Sequence, residues 1–233
     1  MPYFGFYFDP TYILVLIGVA VCFIASAQVK TTYKKYENVI SRSGYTADQV
    51  AYMILRNAGI TDVSIHHIPG DLTDNYNPRE HTLNLSDKVY GSRSIAAIGV
   101  AAHECGHAIQ HARHYVPLTV RSAIIPAANI GSSLAWPLVL IGLIIPRLDF
   151  CMTIGILLFS LVVILQLVTL PVEFNASRRA IQIIRDSGYL APDELKGAKS
   201  VLKAAAMTYV AAMVSVSLQL LRLVILRDSR DDD

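Results

Sequence analysis

Charge is scarce in this chain. Of 233 residues only 16% are charged, 53% are hydrophobic, and the formal net charge is +2. So mild a balance implies no strongly charged partner. No basic cluster with interleaved aromatics is present, so nucleic acid is not an expected partner. Cysteine is sparse as well: there are three. Cys22 and Cys151 fall in apolar runs and Cys105 lies apart from both, which argues against a disulfide framework. There is no repeat, and no low-complexity segment beyond the short acidic end Asp231-Asp232-Asp233. With a mean hydropathy of +0.43, the chain is too apolar for an ordinary soluble domain and reads as a membrane protein.

The apolar residues come in long runs. Residues 11–29 are uncharged and long enough to span a bilayer. Their flank, Met1 to Pro10, carries no Lys or Arg, which fits an uncleaved anchor better than a signal peptide. Residues 122–145 form a second span, interrupted by Pro126 and Pro137, which a membrane helix tolerates. Residues 150–170 form the third after the turn Pro146-Arg-Leu-Asp149, and 204–226 the fourth, with the single charge Arg222. The expectation is one membrane-embedded domain over 1–233, mainly α, with polar parts at 30–121 and 171–203.

Those polar parts hold the basic residues. Residues 30–121 carry ten Lys or Arg, 171–203 carry six, and the segment before the first span carries none. The positive-inside rule puts both polar parts in the cytoplasm and both termini outside. Within 30–121, Thr46-Ala-Asp-Gln49 has capping-box spacing and opens a helix to about Asn57, which Gly59 ends. Val63–Ile68 and His81–Ser86 read as two short strands joined as a hairpin, with Pro69-Gly70-Asp71 and Asn75-Tyr-Asn-Pro78 as turn material. A helix follows from about Ser94 to Arg113. Beyond the third span, Glu173 to Ser187 reads as a separate amphipathic helix.

The Ser94 helix carries His103-Glu104-Cys105-Gly106-His107, an H-E-x-x-H sequence behind a small apolar run. Histidines four apart share a helix face, so both imidazoles reach one metal ion. Glu104 is then placed to take a proton from water on that metal. A catalytic zinc usually has three protein ligands. Glu173, directly after the third span and on the same side of the membrane as His103, is the best third candidate. His111 is the rival, but His103, His107 and His111 spread their side chains over roughly 12 Å of helix axis, a poor tetrahedron. The metzincin pattern fails because Gln110 and Arg113 stand where Gly and His are needed. His111 and His114 read as rim residues, and His66, His67 and His81 as surface histidines of the hairpin. His81, Arg178 and Arg179 are candidates for oxyanion stabilisation by residue type alone. An extended substrate could pair with the edge of His81–Ser86.

These residues carry a resemblance. Ser94-Ile-Ala-Ala-Ile-Gly-Val-Ala-Ala-His-Glu-Cys-Gly-His-Ala-Ile-Gln-His111, Val120-Arg-Ser-Ala-Ile-Ile-Pro-Ala-Ala-Asn-Ile-Gly131 and Leu170-Pro-Val-Glu-Phe-Asn-Ala-Ser-Arg-Arg-Ala180 are similar to the YugP-type neutral zinc metallopeptidases, bacterial integral membrane proteins. The resemblance covers nearly the whole chain. It implies a minigluzincin-like α+β core, with a short β-hairpin plus the H-E-x-x-H helix, among about four transmembrane helices. It implies one zinc per chain on His103, His107 and Glu173, with Glu104 as general base. In related gluzincins a Glu-x-x-x-Asp pattern supplies ligand and supporting carboxylate. Here the second position is Ser177, so support for a histidine falls to Ser177, Asn175 or a backbone carbonyl. The implied function is a zinc-dependent membrane endopeptidase acting on membrane-associated peptides or proteins, in a bacterial plasma membrane with its site facing the cytoplasm. Two alternatives stand beside it. One is a catalytically silent, metal-binding regulator or scaffold for another membrane protein. The other is a site-2-type intramembrane protease, whose Leu-Asp-Gly here reads Leu148-Asp149-Phe150.

Overall fold

The computed structural model describes residues 9–231. In chain order it contains α1 (Tyr12–Tyr36), α2 (Ala47–Asn57), β1 (Ser64–Ile68), β2 (Asn75–Asn77), β3 (Thr82–Ser86), α3 (Ile95–Ala112), α4 (Val116–Ile144), a 3-10 turn at Pro146–Leu148, α5 (Asp149–Asp186) and α6 (Glu194–Asp231). The protein is mainly α. Four helices, α1, α4, α5 and α6, are long and apolar enough to cross a membrane. The segment after Leu170 continues the third of them without a break, despite Pro171, so no separate helix begins at Glu173.

The chain gathers into two compact units. The first takes Met1–Ile24, Ile124–Leu167 and Ala211–Asp233, and the second takes Ala25–Ala123 and Val168–Val210. In the first, small residues let helices approach closely, as they do where apolar helices must pack without a hydrophobic drive. A Cβ on Gly142 would lie 2.5 Å from the Met152 nitrogen, and one on Gly131 2.8 Å from the Leu158 carbonyl oxygen. Trp136 and Phe159 meet edge to face at 6.1 Å. The lone charge of the fourth apolar run is answered there. Arg222 donates to Asp9 at 3.0 Å and lies over the Tyr12 ring at 4.2 Å.

The second unit has a core of α2, α3 and the sheet. Ile54, Leu83, Leu85, Ile98 and Ile184 are buried in it together. Helix α3 opens on Ser94, whose side chain accepts the Ala97 N–H at 3.1 Å, an N-cap of the preferred kind. At the start of α2, Gln49 Oε1 accepts the Thr46 N–H at 3.0 Å. Helix α3 is apolar nearly all round, as a helix enclosed on every side must be. Its small residues are seats for neighbours. A Cβ on Gly99 would lie 3.3 Å from the Ala198 Cβ, and one on Gly106 2.7 Å from the Ala176 carbonyl oxygen. The second contact brings α3 and α5 to backbone distance.

The sheet differs from the sequence expectation. Its order is β1-β3-β2. The two expected strands pair in parallel, Ser64 opposite Thr82 and Ile68 opposite Ser86, so they do not form a hairpin. A parallel pair needs a crossover of about a dozen residues. The segment between them supplies it, and part of that expected turn material is itself a strand. Asn75–Asn77 runs antiparallel to β3 and makes the hairpin with it. Gly70, at φ +111°, turns the chain out of β1 while its N–H donates to Asp87 at 2.8 Å. Strand β3 is therefore central, and its edges are both taken. The expectation that a substrate pairs along His81–Ser86 fails for that reason; the free edges belong to β1 and β2.

Candidate metal centre

Helices α3 and α5 build the site within the second unit. Glu173 Oε2 lies 3.3 Å from His103 Nε2 and 3.5 Å from His107 Nε2. Among the described residues these three form the group able to hold a metal ion, with donor atoms within 4.8 Å of one another. Two donors each about 2.0–2.1 Å from a tetrahedral zinc stand roughly 3.3 Å apart, so the spacing suits that ion. A second observation agrees. Glu173 is only 2% exposed, yet its Oε2 is buried without a hydrogen-bond partner. A buried carboxylate oxygen left unpaired is costly, and a cation is the partner that removes the cost. The other oxygen, Oε1, accepts from Arg121 at 3.3 Å.

The histidines are oriented from behind. His107 Nδ1 meets Gln110 Oε1 at 3.0 Å. Gln110 is fully buried, and its amide nitrogen donates to the Val172 carbonyl at 2.8 Å and to Asn175 Oδ1 at 3.0 Å. The amide oxygen can therefore only accept, so His107 Nδ1 carries a hydrogen, and in the neutral imidazole Nε2 is then the lone pair that faces Glu173. His103 Nδ1 meets Ser177 Oγ at 3.1 Å. Ser177 thus stands at His103 itself, while Asn175 holds Gln110 and also accepts from Arg179 Nε at 2.7 Å.

A cavity of about 250 Å³ opens beside the group, lined by His103, Glu104, Glu173 and Ser177 with Leu72, Val100, Ala205 and Tyr209 among others. Burial pushes the Glu104 carboxyl up from the ordinary carboxylate range, while the two histidines pull it back. A carboxylate moved that way is a stronger proton acceptor than an ordinary one. Cys105, inside the motif, turns away. Its thiol is buried against the Ala51 carbonyl, and burial pushes its pKa well above the ordinary value, so it offers no thiolate.

The remaining sequence candidates sit elsewhere. His81 pairs with Asp62 at 2.5 Å and meets the His111 ring edge-on at 5.7 Å. His111 Nδ1 is bonded to the Tyr76 hydroxyl at 3.0 Å. Arg178 is exposed, and neither it nor Arg179, His81 or His111 lines the cavity. His66 bonds Ser64, and His67 bonds Asp87. Three contributors went unread in the sequence. Gln110 and Arg121 carry no spacing signal. Helix α1 runs on past the expected span end at residue 29, and its far end supplies Val29 and Tyr33 to the cavity wall.

Known proteins point the same way. The family described as "Putative neutral zinc metallopeptidase" matches residues 11–228. The chain is 43% identical over 221 residues to the "Putative membrane protease YugP" of Bacillus subtilis (strain 168), covering 94% of this chain and 98% of that relative. No solved structure matches. With its four apolar helices the protein is an integral membrane protein. The match spans nearly the whole chain, the H-E-x-x-H helix and Glu173 included, and the chain belongs to this neutral zinc metallopeptidase family.

Proposed function

We propose that the protein is a zinc-dependent membrane endopeptidase of gluzincin type, with one zinc per chain held by His103, His107 and Glu173. The observation that carries this is the unpartnered Glu173 Oε2 facing two histidine Nε2 atoms at 3.3 and 3.5 Å, with Glu104 on the same cavity. Zinc in such a site supplies Lewis acidity, polarising a carbonyl and easing deprotonation of water.

The chain's own residues supply the rest. Glu104 takes one proton from the attacking water as its oxygen bonds to the carbonyl carbon. It then delivers that proton to the amide nitrogen as the C–N bond breaks, and the second proton of the water follows by the same carboxylate, leaving a carboxylate and an ammonium. Gln110 holds the His107 imidazole in one tautomer, and Ser177 holds the His103 ring in its orientation. Arg121 neutralises the Glu173 oxygen that faces away from the histidines. The substrate class is peptide or protein delivered at the membrane. The ten Lys and Arg of residues 30–121 support a cytoplasmic site.

The test uses detergent-purified protein and an unfolded protein substrate. Cleavage should vanish on chelation and return with stoichiometric zinc. Cleavage that survives complete metal removal would refute the reading. Zinc bound at one per chain without cleavage of any substrate would favour the silent regulator.

A further inference from the structure

Peptide hydrolysis gathers negative charge on the carbonyl oxygen, and a fixed hydrogen-bond donor aimed at that oxygen accelerates it. The donors around the cavity are mostly committed. The Tyr33 hydroxyl donates to the Lys88 carbonyl at 3.3 Å. Thr208 Oγ1 donates to the Ala205 carbonyl at 2.6 Å, and Ser177 is taken by His103. Arg179 is held by Asn175 and His81 by Asp62, both away from the cavity. Tyr209 is the donor whose partner, Glu173, belongs to the site itself. Its ring lines the cavity, and its phenol has the Glu173 and Glu104 carboxylates as neighbours.

The helix under Tyr209 is firmly seated. A Cβ on Gly197 would lie 2.9 Å from the Tyr36 ring, and Ala198 fills the space left by Gly99. From that seat, Val201, Ala205 and Tyr209 follow at i, i+4 and i+8 along one face of α6, and all three line the cavity. A donor on so fixed a helix is preorganised.

We propose that Tyr209 is the catalytic hydrogen-bond donor to the substrate carbonyl oxygen, turning to it from Glu173 as the tetrahedral intermediate forms. The phenol keeps its proton throughout, since its ordinary pKa of about 10 leaves it protonated at neutral pH, and no bond to it is made or broken. The inference rests on the peptidase reading, and its test separates the two.

The experiment compares wild type with Tyr209→Phe for zinc content, thermal midpoint in detergent, kcat, KM and affinity for a phosphinic peptide, a mimic of the tetrahedral intermediate. Zinc at one per chain and an unchanged midpoint are expected. Turnover should fall about 10²–10³-fold, the usual loss on removing one such donor, with KM nearly unchanged. Phosphinic peptide affinity should fall by a similar factor. Zinc loss in Tyr209→Phe would overturn the inference and make Tyr209 a prop for Glu173. Unchanged turnover and phosphinic peptide affinity would place the donor elsewhere and leave the peptidase reading intact. A wild type that binds neither zinc nor the phosphinic peptide would remove both.

Discussion

Gly106 faces the Ala176 carbonyl oxygen so closely that a Cβ at 106 would stand 2.7 Å from it. Ala176 lies between Glu173 and Ser177, so this contact sets how near both come to His103 and His107. Gly106→Ala is therefore expected to push α5 away and weaken zinc binding by tenfold or more, although alanine favours a helix over glycine by about 1 kcal/mol. Zinc titration with a competing chelator measures it. Wild-type zinc affinity in this variant would show that the close approach does not matter.

Gln110 acts at one remove. Gln110→Leu removes the acceptor for His107 Nδ1 and the donor to the Val172 carbonyl, while leaving the three proposed metal ligands unchanged. Loss of such support usually costs about 10–100-fold in metal affinity. The same chelator titration checks it, and Gln110→Glu, which keeps an acceptor, should recover part of the loss. Equal affinities in all three proteins would contradict the role.

Asp74, on the wall of the same cavity, gives a pH signature of its own. Its carboxylate accepts the Ser86 N–H at 2.8 Å and the Ser86 hydroxyl at 2.9 Å, but burial outweighs these bonds and raises its pKa. Between the ordinary value, about 3.9, and the raised one, the folded protein holds the proton more tightly than the unfolded chain. This group's contribution to stability is present below the ordinary value and is lost as pH rises through the raised one. Asp74→Asn removes the titration. The midpoint difference, wild type minus variant, should therefore fall between pH 4 and neutrality. A constant or rising difference would show that the buried form is not favoured.

Topology is checked by labelling. Glu80 is exposed in the turn after β2, and Glu80→Cys should react with an impermeant maleimide in inverted membrane vesicles and not in right-side-out ones. The opposite pattern would turn the site to the other face.

Much of this was legible in the sequence, for physical reasons. Uncharged runs of membrane length mark the long helices, and the four-residue histidine spacing puts two imidazoles on one helix face. Glu173 was legible because it follows directly on an apolar run. What stayed hidden depends on tertiary contact. Asn75-Tyr76-Asn77 is short and built of turn formers, and it becomes a strand only because β3 offers it an edge. Parallel pairing of β1 and β3 leaves no mark in either strand. Gln110 meets Val172 across 62 residues of sequence, and Gly106 reads like any helical glycine until α5 is laid against it. Tyr33 stands among the lysines of a polar segment, yet it is 3% exposed and bonded to the Lys88 carbonyl.

The central claim is a division of labour, with His103, His107 and Glu173 holding the metal and Glu104 moving the proton. Zinc content and cleavage of an unfolded protein substrate, measured together on wild type, Glu104→Gln and Glu173→Ala, test it most directly. Glu104→Gln should keep one zinc per chain and lose at least about 10²-fold in turnover, while Glu173→Ala should lose the zinc itself. Full zinc occupancy and activity in Glu173→Ala, or undiminished cleavage in Glu104→Gln, would contradict the assignment.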